Sequence, residues 1–77
     1  MTTQTAKTPG GLAATIFKSL RIKQGLSQAS VAERIVLPRS AYTNLENGKR
    51  DITLDDFSML CIAFDVSPLE VARLIWK

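Results

Sequence analysis

At 77 residues the chain has room for one small domain, and one cysteine (Cys61) with no histidine excludes an internal disulfide and a Cys/His zinc site. Hydrophobic residues make up 45% and charged residues 22%, an ordinary globular balance, and no apolar run approaches the ~20 residues that cross a bilayer. The net charge of +3 is lopsided: residues 1–50 carry eight Lys/Arg against Glu33 and Glu46, whereas residues 51–77 carry five acids against Arg73 and Lys77, so one part of the chain suits a polyanion and the other does not.

Residues 1–10 are Thr-rich, lack apolar periodicity and lead into Pro9-Gly10-Gly11; they are expected to form a flexible arm, with Lys7 its only cation. Residues 11–77 are expected to form the domain proper. A first helix is predicted over about 12–24, where Leu12, Ala13, Ile16, Phe17 and Leu20 make one apolar stripe and Gly25 supplies a left-handed C-cap. Ser27 caps a second helix over 28–36, with Val31, Ala32 and Ile35 inward. A third starts at Pro38, a residue suited to the first helical position, and runs to Asn47 with Gly48 as its stop. Thr53-x-x-Asp56 opens a fourth helix, with Leu54, Phe57, Leu60, Cys61 and Phe64 on one face. Ser67-Pro68-Leu69-Glu70 reads as a full capping box and opens a fifth, over 68–77, that carries Val71, Leu74, Ile75 and Trp76. There is no strand pattern and no repeat, so the predicted class is all-α, five short helices in a compact domain.

The third helix sorts into two faces. Ala41, Tyr42 and Leu45 fall together and point inward, while Arg39, Ser40, Thr43, Asn44 and Asn47 fall on the opposite side. A polar outer face is ordinary, but these side-chain types match base edges. Arg pairs with guanine O6/N7, Asn with adenine N6/N7, and Ser or Thr with either base, while the Thr methyl can touch thymine. No acid stands on this face to repel phosphate. Gln28 opens the second helix, where free N–H groups and the positive dipole end favour an anion. With Asn47, Lys49 and Arg50 it is expected to hold phosphates, which fix register without reading sequence.

Residues 16–66 resemble the Cro/C1-type, or Xre-like, helix-turn-helix family of phage and bacterial repressors. The matching residues are Leu20-Arg21, Gly25-Leu26-Ser27-Gln28, Val31-Ala32 and Leu45-Glu46-Asn47-Gly48-Lys49. The resemblance implies a lambda-repressor-like fold in which Gln28 touches phosphate and Arg39, Ser40, Thr43 and Asn44 read the major groove. It further implies an ion pair between Arg21 and Glu46 that holds the reading helix at its angle. Two departures stand out. The family usually has Gly where this chain has Val36, and a β-branched residue resists positive φ, so the turn is expected to be strained or to take another path. Leu37-Pro38 also replaces the usual Ser/Thr cap of the third helix.

Other features read as structural. Cys61 lies on an apolar stripe and suits a buried core position, and Asp55 and Asp56 suit the dipole of the fourth helix. Tyr42 is expected to pack inward with its hydroxyl at the rim, in reach of a phosphate. No catalytic residues, metal or cofactor are expected, and no small-molecule effector either. The fifth helix carries more apolar surface than a small interior absorbs, so Val71, Leu74, Ile75 and Trp76 are expected to form a homodimer interface. The resulting expectation is a cytoplasmic, bacterial or phage-encoded regulator that binds a (pseudo)palindromic duplex operator as a homodimer. In size it resembles restriction–modification controller proteins and the shortest phage repressors. The alternative is an antitoxin-like or partner-binding module whose main ligand is a protein.

Overall fold

The computed structural model describes residues 8–76. They form α1 (Pro9–Lys23), α2 (Gln28–Arg34), α3 (Arg39–Glu46), α4 (Leu54–Ala63) and α5 (Pro68–Ile75), with no strand among the described residues. The all-α class and the five helices are as the sequence predicts. α2 packs on α3, α1 on both α3 and α5, and α4 on α5. Phe17 of α1 is central: its ring stacks on Phe64 at 5.9 Å and meets Phe57 edge-on at 5.7 Å. Val31, Tyr42, Leu45, Leu60, Cys61 and Val71 close the core around it.

One chain reversal is used four times. α1, α2, α3 and α4 each end in a left-handed residue: Gly25 (φ +70°), Val36 (+57°), Gly48 (+77°) and Asp65 (+56°). Each is bracketed by the two hydrogen bonds of a Schellman motif. At α2, Leu37 N–H donates to the Ala32 carbonyl at 2.9 Å and Val36 N–H to that of Glu33 at 3.2 Å. The other three repeat this pattern, with Leu26, Lys49 and Val66 in the place of Leu37. Of the two routes open to the Val36 turn, the structure takes the strained one.

Several boundaries differ from expectation. α1 begins at Pro9, because Thr8 accepts a hydrogen bond from Gly11 N–H at 3.0 Å and Pro9 occupies the first helical position. The last two residues of the expected arm, Pro9 and Gly10, are therefore helical. Residues 1–7, the rest of it, lie outside the described residues, as does Lys77. α2 stops at Arg34, with Ile35 as its C-cap and Val36 in the turn. Pro38 is the N-cap of α3 (φ −59°, ψ 145°), not its first helical residue, and gives it no side-chain hydrogen bond. Thr53 and Asp56 form the full capping box. Ser67 caps α5 through Leu69 N–H only, so the box expected with Glu70 is not closed. Leu54, expected inward, is 86% exposed, because it sits in the first turn of α4 beyond the packed part of the core.

Candidate nucleic-acid interface

α3 divides sharply between core and solvent. Tyr42, Leu45 and Glu46 are buried, whereas Arg39, Ser40, Asn44 and the C-cap Asn47 are exposed. Thr43 is half-buried on the flank that faces the start of α2. The only acid in the helix is Glu46, turned inward, so the outer face carries cationic and amide groups without a carboxylate.

A polar relay fixes this helix to its neighbours. Arg21 at the end of α1 grips the Glu46 carboxylate with Nε at 2.7 Å and Nη2 at 3.1 Å, and its Nη1 donates to the Leu26 carbonyl at 2.8 Å. The Glu46 side chain is only 1% exposed. Gln28 Nε2 donates to Glu46 Oε1 at 3.0 Å, and Thr43 Oγ1 donates to Gln28 Oε1 at 3.1 Å. The expected Arg21–Glu46 pair is thus the middle of a longer chain that joins α1, the α1–α2 turn, α2 and α3. Burial alone would raise the Glu46 pKa, but hydrogen bonds from Arg21 and Gln28 outweigh it and hold the carboxyl below its ordinary value. The hydrogen bond to Glu46 likewise raises Arg21.

Tyr42 overturns an expectation. It is completely buried, its hydroxyl is sealed beside this pair, and no acceptor meets it at hydrogen-bond geometry. Burial first, then the Glu46 carboxylate, pushes the phenol pKa up. It cannot reach a phosphate.

A helix-turn-helix family model matches residues 17–71. The chain belongs to the Cro/C1-type helix-turn-helix family. That family is one of DNA-binding regulators, not enzymes. No curated protein is similar enough to count as a relative.

On this helix-turn-helix, the candidate phosphate contacts are differently placed. Lys49 is exposed just past α3; Arg50 is half-buried, with Nη2 3.6 Å from Asp56 Oδ1. Gln28 is half-buried in the relay, yet its amide keeps a second N–H beyond the one given to Glu46. Arg34 is spent elsewhere: its Nη1 donates to the Ala63 carbonyl at 3.1 Å, at the last turn of α4, where a cation suits the dipole. Sequence reading missed the Gln28–Thr43 bond. The only signal was a pair of polar side chains of matching donor and acceptor type, far apart in the sequence, and their distance depends on how α2 crosses α3.

The C-terminal face needs one correction. Val71 is 2% exposed and belongs to the core of the single chain, because α5 turns it onto α1 and α4; it is not available to a second copy. Ile75 is half-buried against the same core, while Leu74 and Trp76 are exposed. Trp76 and Ile75 also line an apolar groove of about 190 Å³, with Pro9, Ile52, Leu54 and Phe57 among its other walls. Cys61 is buried among apolar side chains, which push its thiol pKa up, as a core position requires. Among the described residues no cluster of acids, Cys or His could hold a metal, and no helix is long and apolar enough to cross a membrane.

Proposed function

We propose that the protein reads a specific duplex DNA sequence as a homodimer, placing α3 of each copy in a major groove of a (pseudo)palindromic operator. The observation that carries this reading is the outer face of α3. Arg39, Ser40 and Asn44 stand exposed there without an acid, on a helix anchored by Arg21, Glu46 and Gln28. Arg39 and Asn44 are assigned to base edges by their bidentate geometry, with Ser40 and Thr43 beside them. Gln28, Asn47, Lys49 and Arg50 are assigned to phosphates on either side.

Size supports the second copy. The described chain is 30 Å in its longest dimension and carries one reading helix, whereas successive major grooves on one face of the duplex lie ~34 Å apart. A site of two half-sites therefore takes two chains, which we assign to meet through Leu74, Ile75 and Trp76. Regulation then follows from protein concentration and operator arrangement, in the compartment that holds the DNA.

The test is selection from a random duplex library at near-physiological salt, with the mass of the selected complex recorded. An enriched inverted repeat carrying two chains is the expected result. Weak, salt-sensitive binding without enrichment would sink the reading. It would turn attention to the apolar groove beside Trp76 as the seat of a protein partner.

A further inference from the structure

Thr43 has one hydroxyl hydrogen, and the fold has already committed it. Glu46 sets the direction of the relay. Its buried carboxylate, held ionised by Arg21 at 2.7 Å, can only accept hydrogen bonds. The Gln28 amide must therefore turn its nitrogen to Glu46, at 3.0 Å, which leaves its carbonyl oxygen facing Thr43. A carbonyl cannot donate, so Thr43 supplies the hydrogen across 3.1 Å. What remains free on the half-buried Thr43 is a pair of oxygen lone pairs and a methyl group.

We propose that Thr43 acts on DNA as an acceptor only, taking a hydrogen bond from an exocyclic amine, adenine N6 or cytosine N4, and refusing purine N7, guanine O6 and thymine O4. This rests on the reading in which α3 enters the major groove. A threonine on a solvated helix is ambivalent, because its hydroxyl rotates to give or take as the base requires. Here rotation toward a base acceptor would strip the half-buried Gln28 carbonyl of its donor. The selectivity of Thr43 is therefore set by an ion pair it never touches. It is a specificity-determining residue whose polarity is fixed by Glu46 through Gln28.

The test uses the full chain on its selected operator. Selection with Thr43→Val, which keeps shape and removes the hydroxyl, identifies the base pair whose preference depends on it; Thr43→Ser should keep the parent pattern. At that base pair, unsubstituted purine replaces adenine, or 2-pyrimidinone replaces cytosine, deleting the amine. A 7-deaza purine separately deletes N7. The parent protein should lose roughly fivefold in affinity on the amine-free duplex and nothing on the 7-deaza duplex. Thr43→Val should be indifferent to both. Gln28→Ala, which frees the hydrogen, should gain sensitivity to the 7-deaza change. Sensitivity of the parent to the 7-deaza purine but not to loss of the amine would overturn the assignment, as would a Thr43→Val selection identical to the parent. Enrichment of no sequence by the parent would instead remove the operator-reading function itself, a distinct failure.

Discussion

Val36 carries a penalty with little return in packing. Its φ of +57° brings Cβ against the following carbonyl, at about 1–2 kcal/mol for an L-residue, while 87% of it stays exposed. Glycine would relieve the clash and cost about 0.5–1 kcal/mol in backbone entropy. Val36→Gly is therefore expected to stabilise the domain by about 1 kcal/mol, and for a chain of this size that raises the thermal midpoint by about 4–8 °C. An unchanged or lower midpoint would show that the turn accommodates valine without strain. Asp65 takes the same conformation at lower cost, because a short polar side chain tolerates it. On the proposed DNA side, Arg39 and Lys49 are both exposed cations, assigned to different roles. Arg39→Ala should cost roughly 1–3 kcal/mol on the operator and relax one base preference, with random DNA less affected. Lys49→Ala should weaken binding to every sequence and reduce the log–log salt slope by about one. Titrations on specific and random duplexes at several salt concentrations separate the two, and equal losses on both DNAs would remove Arg39 from base reading.

Between elements, the relay from Arg21 to Thr43 sets the angle at which α3 is presented, and it depends on one charge. Because the folded Glu46 pKa lies below the ordinary 4.5, the native state binds fewer protons than the unfolded chain near that value. Its stabilising contribution is present above pH 4.5 and fades as the pH falls through the folded value. Glu46→Gln should cost about 3 kcal/mol at pH 7, since it leaves Arg21 without its counter-charge. The gap from the parent should narrow as unfolding is measured at pH 4 and then 3; a constant gap would mean that the charge is not what matters. Much at this scale is legible in sequence. Gly25 and Gly48 announce their stops and Thr53-x-x-Asp56 its capping box, while the Arg21–Glu46 ion pair was implied by the family resemblance. The hidden parts are those where tertiary packing decides. Asp65 gives no stronger cue for a left-handed turn than any other aspartate. Thr8-Pro9 looks like the end of an arm until Gly11 is buried in the first turn of α1. The Gln28–Thr43 bond exists only once two helices cross.

As a whole, the molecule pairs the proposed reading face of α3 with an apolar C-terminal end. Leu74 and Trp76 are exposed, so changing them should leave the fold intact while altering assembly. Leu74→Glu is expected to shift sedimentation toward the monomer and to weaken binding to a two-half-site operator more than to one half-site. A dimer that survives this change at micromolar concentration would place the contact elsewhere. The helix-turn-helix fold was legible from residues 16–66, whereas the burial of Val71 was not, because periodicity alone cannot distinguish Val71, which completes the core, from Leu74, which does not. Trp76 adds an optical consequence. It is the only tryptophan in the chain and 65% exposed in the single copy, so the separate chain is expected to emit like an indole in water. Unfolding the separate chain should barely move that emission, and far-ultraviolet dichroism is the signal to follow for its denaturation. Covering the ring should instead shift the spectrum to the blue and slow its quenching by iodide, giving an unlabelled readout of association at the C-terminal end.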